Sequence, residues 1–307
     1  MTPLTPSNPL TPNPLPPSNR LTPSSRLTPS NPLTPSLTRR PPCTVLRHEG
    51  RIVGSYVHRP QLPGTLAPRP YLHPVRTLGG ATVTGLRPAG HPAHLGVSMA
   101  VPEVAGRDFR GGPGRLDHQG SQRHLSWLLR DPDGFVEELS WTAGGRQLLL
   151  ERRTVAVRAL GTGCWALDFT SALTNVTGRE IGIGATDHAG GFCWPLPRRP
   201  EPAHVFSADG EGEAAVHGRP ADWLALATDD WTLVFAGATG DTRADPWCVR
   251  TGEHPAVGSA LAWERPLPIA PADTVTRRIV TAVADGRLDR PAAARIAGQL
   301  SDKGAAV

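Results

Sequence analysis

The chain has 307 residues, of which 38% are hydrophobic, and a formal net charge of +5 from 32 basic and 27 acidic residues. Its cations are almost all arginine and are scattered among the acids, so no basic stripe indicates a nucleic-acid surface, and we expect no nucleic-acid partner. No run approaches 18 apolar residues, so we expect no membrane span or membrane partner.

The spacing of the cysteines indicates the redox state of the cellular compartment in which the protein is expected. Cys43, Cys164, Cys193 and Cys248 lie far apart and form no C-x-x-C pair. This spacing favours neither a structural zinc site nor a disulfide framework. The N-terminus also lacks the basic-then-apolar layout of a secretion signal. We therefore expect a reduced, cytoplasmic protein.

The N-terminal segment, residues 1–42, is built on repeats of Leu-Thr-Pro. Proline at this density cannot donate hydrogen bonds to a helix or a sheet, and isolated leucines bury too little surface to offset the entropy of ordering. The segment is predicted to be a disordered tail with polyproline-II character. A docking tail, a solvated extension and an upstream stretch present only in a gene model are all consistent with it.

Short alternating segments broken by Gly, Pro and Asp follow the tail and predict strands. The predicted strands are 51–58, 123–130, 135–142, 147–160, 165–170, 223–228, 231–236, 259–263 and 274–283. Asp131-Pro132-Asp133-Gly134 is a strong hairpin signal. Near the end, Asp289 can cap a short helix that runs to Leu300.

Many short strands with almost no helical periodicity predict an all-β fold, a large antiparallel two-sheet β-sandwich, of which a mutarotase-like supersandwich is one form. The predicted division is a tail over residues 1–42, a sandwich over 43–288, and a short helix with a frayed C-terminus over 289–307.

Histidine is concentrated in one window of the chain. Five of the eleven histidines fall within residues 73–124, where a uniform spread would place about two, and histidine is the side chain that titrates near neutral pH and binds metals. These five are His73, His91, His94, His118 and His124. The window also contains arginines, aspartates and glycines but few apolar runs, which is typical of a polar pocket lined by loops.

Two motifs in this window carry histidines next to prolines. In Arg69-Pro-Tyr-Leu-His-Pro-Val-Arg76, the prolines restrict where Tyr71, His73 and Arg76 project, so these residues could bind a carboxylate or a sugar hydroxyl pair. The alternative is a tight corner in which His73 satisfies backbone groups. In HPAHLG, over 91–96, two histidines three apart could share a metal ion with a third ligand.

If a metal binds, His91, His94 and His118 are the predicted ligands. The alternative is a pocket without metal, in which the histidines act as hydrogen-bond donors or as a general acid and base. No G-x-G-x-x-G or Walker motif is present, so no nucleotide cofactor is predicted, and a divalent metal stays open.

Two further loops add candidate residues. In DFRGGP, over 108–113, glycines would let the backbone approach a ligand near Asp108, although a plain solvent loop is equally consistent. In the loop over 186–194, Asp187 and His188 form a polar pair and Trp194 could stack on a sugar ring, or lie at the edge of the core. Glu137 and Glu138 are successive strand residues, so at most one of them can face a site.

These motifs resemble those of a bacterial family known as "methane oxygenase PmoA-like", whose function is largely unknown. The resemblance covers roughly residues 45–285. It rests on RPYLHPVRTLGG, HPAHLG, DFRGGP, GSQRH, ERR, LDFTSALTN and GGFCWP. Ala93 and Arg110 depart from the pattern, since many relatives have a histidine and an aromatic residue there. The resemblance implies a place beside sugar-directed dehydrogenases, and hence sugar catabolism.

The sequence therefore predicts a cytoplasmic, carbohydrate-processing enzyme of epimerase, lyase or hydrolase type that acts on a sugar or keto-sugar. His94 and His118 are the predicted acid and base. The predicted substrate-binding residues are Tyr71, His73, Arg76, His91, Asp108, His124, Asp187, His188 and Trp194. The alternatives are a non-catalytic sugar-binding protein and a metal-dependent, oxygenase-like enzyme. The oligomeric state is left open.

Overall fold

A computed structural model gives the fold over residues 43–112, 118–186 and 190–301. The predicted tail over 1–42, the loop residues Asp187 and His188, and the predicted frayed end over 302–307 lie outside the described residues.

Within these ranges the chain forms seventeen strands, and the pairings between them are antiparallel. The first nine are β1 (Cys43–His48), β2 (Arg51–Val57), β3 (Tyr71–Val75), β4 (Ser98–Ala100), β5 (Gly120–Asp131), β6 (Gly134–Ala143), β7 (Arg146–Gly161), β8 (Cys164–Asn175) and β9 (Ile181–Ile183). The others are β10 (Gly191–Pro195), β11 (His204–Ser207), β12 (Trp223–Ala227), β13 (Trp231–Gly237), β14 (Trp247–Arg250), β15 (Ala256–Ala260), β16 (Leu267–Ile269) and β17 (Thr274–Asp285).

The helices in the described residues are short. They are α1 (Glu213–Val216), α2 (Gly240–Ala244) and α3 (Arg290–Ser301), with a 3-10 turn at Gly64–Leu66. None of these helices has both the length and the apolar character needed to cross a bilayer. The predicted cap of the last helix is confirmed, because the side chain of Asp289 accepts the N–H of Ala292 at 2.8 Å.

The strands form one large sheet and several smaller ones. The large sheet has eight strands in the order β11-β12-β13-β17-β8-β7-β6-β5, and the smaller sheets are β1-β2-β3, β14-β15-β10-β4 and β16-β9. Apolar side chains from the large and small sheets share one core, which includes Leu72, Met99, Leu167, Trp194 and Phe235. The predicted antiparallel β-sandwich is therefore confirmed.

The two faces of the large sheet carry side chains of different size. On β12, Leu224 and Leu226 point into the shared core, whereas Ala225 and Ala227 point to the other face. On that face the alanines pack with Ala293 and other residues of α3. Small side chains allow the helix to lie close against the sheet, so α3 covers the outer face of the sandwich.

Local signals located eight of the seventeen described strands, namely β2, β5, β6, β7, β8, β12, β13 and β17, whereas β1, β3, β4, β9, β10, β11, β14 and β16 were not predicted. The hairpin signal at Asp131–Gly134 lies where β5 ends and β6 begins. The strand predicted at 259–263 lies instead at Ala256–Ala260, where it pairs with both β10 and β14. Gly258 weakened the local strand signal, and pairing on both sides overrides that weakness.

Candidate functional site

The turn that carries His91 and His94 is closed by its own backbone. The N–H of Arg87 donates to the carbonyl of His94 at 2.7 Å. Gly96 follows the turn, and a Cβ placed on it would lie 2.0 Å from the carbonyl oxygen of Leu72 in β3. Glycine therefore lets the turn approach β3 more closely than any other residue could.

A third histidine joins this turn from a distant part of the chain. The ring centre of His254 lies 3.5 Å from that of His91 and 6.3 Å from that of His94, and those two are 6.0 Å apart. We call these three residues the His91 cluster. It borders a cavity of about 300 Å³ that Thr84 also lines. Thr84 Oγ1 is 3.0 Å from Nδ1 of His73. Three of the five histidines of the 73–124 window, His73, His91 and His94, therefore lie in one region.

Burial keeps the His94 imidazole neutral. Its pKa is lowered from 6.5 to about 4, chiefly because burial removes water from the charged form and further because His91 and Arg69 lie nearby. Arg69 is itself buried and donates to the carbonyls of Ala93 and Arg110 at 2.9 and 2.7 Å. Arg69 thus holds the turn in place and puts a positive charge near His94.

The predicted metal ligands are not assembled. Within the described ranges, no three His, Cys, Asp or Glu side chains are arranged so that they could hold a metal ion together. His91, His94 and His118 therefore do not form the predicted ligand set. His118 is exposed, and its carbonyl accepts the N–H of Asp108 at 2.9 Å. The role of His94 and His118 as an acid and base stays a prediction.

A second and larger cleft, of about 710 Å³, is lined by His58 and His124. We call it the His124 cleft. It lies between the segment that follows β2 and the first residues of β5. Its other polar lining residues are Arg59, Gln61, Gln119, Ser121, Gln122 and Arg123.

A buried carboxylate orients His124. Nδ1 of His124 lies 2.6 Å from Oε2 of Glu137 on the neighbouring strand β6, and the two side chains are 3% and 0% exposed. The other oxygen of Glu137 accepts a hydrogen bond from the hydroxyl of Tyr56. Because a carboxylate accepts from an N–H, it favours the tautomer with hydrogen on Nδ1 and leaves Nε2 as the basic nitrogen.

An ion pair lies behind this carboxylate in the interior of the sandwich. Arg153 donates to both oxygens of Glu151 at 2.8 Å and to the hydroxyl oxygen of Tyr56 at 3.0 Å. Trp141 also donates to Glu151 at 2.8 Å. Burial raises the pKa of Tyr56 well above its ordinary value. The hydroxyl therefore stays protonated and can donate to Glu137.

A second imidazole lies beside His124. The ring centres of His58 and His124 are 4.9 Å apart, and both rings contact Trp127. The pKa of His58 is lowered from 6.5 to about 4, mainly by burial and further by His124 and Arg59. Nδ1 of His58 is buried and has no hydrogen-bond partner in the described part of the chain. The cleft wall thus holds one oriented and one neutral imidazole.

Two predicted binding residues have structural roles. Trp194 has no exposed surface and donates its indole N–H to the carbonyl of Val83 at 2.9 Å. This burial corrects the prediction that Trp194 stacks on a sugar, because the ring faces the core. Asp108 accepts the N–H of Arg110 at 2.7 Å and the side-chain N–H of Gln119 at 3.1 Å, so its carboxylate organises its own loop.

No contact among the described residues places the remaining predicted binding residues at either site. Tyr71 and Arg76 are half-buried at and just after β3, and neither side chain hydrogen-bonds to another described residue. Both stay predictions, and Asp187 and His188 fall outside the described ranges.

Residues 43–298 match the model of a family of unknown function, DUF6807. The chain belongs to this family. No curated protein matches this DUF6807 chain.

Two solved structures show a distant likeness. A heparan sulfate lyase mutant from Pedobacter heparinus is 12% identical with a TM-score of 0.35, over 77% of this chain and 34% of the lyase. A heparinase III with methylated lysines is 8% identical with a TM-score of 0.27, over 64% of this chain and 24% of the heparinase. The chain thus spans about a third and a quarter of their lengths. At such scores neither likeness carries an argument about this DUF6807 chain.

Three residues of the two sites were missed by sequence reasoning. His254 and His58 lie outside the enriched window, and Glu137 was recognised only as one of two glutamates of which at most one could face a site. A signal for His254 does exist in the sequence. His73, His91 and His254 each precede a proline. In the fold, His254 lines the 300 Å³ cavity, the ring of His91 lies against that of His254, and His73 contacts Thr84 of the cavity lining.

The neutral histidines predict a pH dependence of stability for this DUF6807 chain. His94 and His58 have folded-state pKa values of about 4, below the 6.5 of an unfolded chain. As the pH falls from 6.5 to 4, the unfolded state takes up these protons first, so the free energy of unfolding decreases, by at most about 1.4 kcal/mol per pH unit for each histidine. Urea unfolding at several pH values measures this slope.

The contribution of one histidine can be isolated. His94→Gln should flatten the slope between pH 6.5 and 4. His204→Gln, at an exposed histidine, should leave the slope unchanged except near pH 4.5, where it removes the hydrogen bond that lowers the pKa of Glu211. An identical slope in both variants would contradict the prediction.

Proposed function

We propose that this DUF6807 chain is a carbohydrate-processing enzyme that transfers a proton on a sugar or keto-sugar, with His124 as the base. The observation that carries the proposal is the 2.6 Å contact between Nδ1 of His124 and the buried carboxylate of Glu137. A carboxylate that fixes one tautomer of an imidazole at a cleft wall is an arrangement suited to general acid–base catalysis. His58 is the second group able to carry a proton.

The choice of a sugar rests on the lining of the His124 cleft. Amide and hydroxyl side chains of Gln61, Gln119 and Ser121 line it, and such groups suit sugar hydroxyls as hydrogen-bond partners. The volume of about 710 Å³ falls within the usual range for small-molecule sites. The resemblance to PmoA-like proteins implies the same substrate class. Epimerisation, elimination and hydrolysis through a keto intermediate all begin with such a proton transfer.

The proposal is tested by hydrogen exchange, which detects the proton transfer whichever product forms. The protein is incubated in D₂O with a panel of sugars, keto-sugars and sugar acids, and loss of C–H signals is followed by proton NMR. His124→Gln should slow exchange at least about 100-fold, the lower end of the usual contribution of a general base. His204→Gln is the matched control, because His204 forms a similar 2.7 Å contact with Glu211 at the exposed surface.

Two outcomes would overturn the proposal. If His94→Gln abolishes exchange and His124→Gln does not, the acid–base group belongs to the His91 cluster, as the sequence predicted. If a sugar raises Tm by mass action but no sugar exchanges a hydrogen in the wild type, the protein is a sugar-binding protein.

A further inference from the structure

The described residues that line the His124 cleft carry positive charge without an acidic side chain to balance it. Arg59 and Arg123 both line the cleft and are exposed. Neither forms an ion pair with a described residue. Among the described residues that line the cleft, none is an aspartate or a glutamate. Arg123 alternates with His124 on β5, but β5 is the edge strand of its sheet, so the long side chain of Arg123 can extend around the edge toward the ligand. A ligand in this cleft therefore lies near two arginines, and no carboxylate among the described lining residues competes with it.

Another cavity, of about 910 Å³ on the outer face of the eight-stranded sheet, shows the opposite pattern. Two of its three arginines, Arg158 and Arg278, lie 3.3 and 2.6 Å from the carboxylate of Asp168, and Arg152 is the third. Asp131 and Asp133 line the same cavity. The arginines of this cavity are thus accompanied by aspartates, whereas the described lining of the His124 cleft contains arginines and no acidic residue.

We infer that the His124 cleft binds a sugar acid, that is, a sugar that carries a carboxylate. The inference rests on the proposed function, which it deepens by naming the substrate class. A guanidinium presents a planar fork of N–H donors that matches the two oxygens of a carboxylate. Arg59 and Arg123 are the residues assigned to this contact.

A carboxylate also suits the proposed chemistry. A C–H bond next to a carboxylate can break when its proton moves to Nε2 of His124 and its electron pair enters the carboxylate to give an enediolate. The extra negative charge is stabilised by the two guanidinium groups, which is the electrostatic help that this step needs. The proton on Nε2 exchanges with solvent, and delivery of a solvent-derived proton (a deuteron in D₂O) to the same carbon re-forms the bond. Delivery to the original face completes the exchange, and delivery to the opposite face also inverts the carbon.

Calorimetric titration with matched sugars tests the inference. D-glucuronate should bind more tightly than D-glucose, and D-galacturonate more tightly than D-galactose. Arg59→Gln and Arg123→Gln should each weaken binding of the acids by about tenfold or more, as expected for a lost charge-assisted hydrogen bond. Arg295→Gln, at an exposed arginine on α3, is the control and should leave binding unchanged.

Three results would overturn the inference. These are the absence of binding by both acids, equal binding of each acid and its neutral partner, and wild-type affinity for the acids in both arginine variants. D-glucose 6-phosphate separates the two kinds of anion. If it binds and glucuronate does not, the cleft is specific for phosphate and the carboxylate assignment is wrong.

Failure of the inference and failure of the proposed function give different results. If glucuronate binds in an Arg59-dependent manner but the wild type exchanges no hydrogen, the proposed catalysis fails while the ligand class stands. If neutral sugars exchange as fast as sugar acids and His124→Gln stops both, the catalysis stands and the ligand class fails. If His124→Gln retains glucuronate binding and loses exchange of its C–H next to the carboxylate, both are supported.

Discussion

Replacing Arg153 with methionine is expected to lower the free energy of unfolding by about 3–5 kcal/mol, the range for removing one partner of a buried ion pair. Arg153 and Glu151 have no exposed surface. In the variant, the carboxylate of Glu151 would stay buried without its cation, and Tyr56 would lose a donor at 3.0 Å. Urea denaturation followed by tryptophan fluorescence measures the loss.

The neighbouring residue provides a matched control. Arg152 precedes Arg153 on β7 but points to the opposite face and is exposed, so Arg152→Met should change the free energy of unfolding by less than about 0.5 kcal/mol. Adding Glu151→Gln to Arg153→Met removes the stranded charge, so the double variant should be more stable than the sum of the single changes implies. A loss below about 1 kcal/mol for Arg153→Met would contradict the prediction.

This network connects the stability of the fold with the candidate site. Arg153 contacts the hydroxyl of Tyr56, that hydroxyl donates to Glu137, and Glu137 orients His124. Each of these polar groups is satisfied by the next, which is the condition under which a buried network favours a single arrangement. The orientation of His124 is thus set from inside the core.

The sequence predicted seven of the eight strands of the large sheet because their signals are local, whereas most of the short strands of the smaller sheets were missed. Alternation in β8 places Trp165, Leu167 and Phe169 on the shared-core face, and Asp131–Gly134 forms its hairpin as expected. These features depend on neighbours within a few positions. Pairing between distant strands overrode the local signal in β15, where both sides of the strand are bonded.

The candidate site was predicted less completely because its contacts join distant parts of the chain. His91 and His94 are three positions apart and share a turn, so their proximity could be predicted. His254 reaches the same turn from 160 residues further along the sequence, and His58 reaches His124 from another sheet. A window rich in histidine reveals histidines that are close along the sequence, but not those that folding brings together.

The enriched window nevertheless contains segments that serve both sites. Arg69 donates to the carbonyl of Ala93 in the turn of the His91 cluster, and the carbonyl of the preceding Pro68 accepts the N–H of Gln122 in the His124 cleft at 2.8 Å. A displacement of this segment would therefore reach both groups of histidines. The composition of the window thus indicated a region that contributes to both groups of histidines, although it did not separate the two groups.

Replacing Gly96 with alanine is expected to be among the most damaging single changes in the protein. The added Cβ would lie 2.0 Å from the carbonyl oxygen of Leu72 and 2.9 Å from Cβ of His73. Because the nearest atom belongs to the backbone, the turn or β3 must move, and overpacking of this kind costs about 1–3 kcal/mol or more. The free energy of unfolding, from urea denaturation, measures the effect.

Gly182→Ala is the matched control, because Gly182 lies within β9 and a Cβ there would meet no atom within 4 Å. A displaced turn should also expose His94, so the Gly96→Ala protein should lose part of the stability slope between pH 6.5 and 4 that its burial produces. If Gly96→Ala and Gly182→Ala unfold at the same urea concentration and keep the same slope, close approach to β3 does not hold the turn in place. The position of His94 would then depend on the contacts of Arg69 and on the hydrogen bond from the N–H of Arg87.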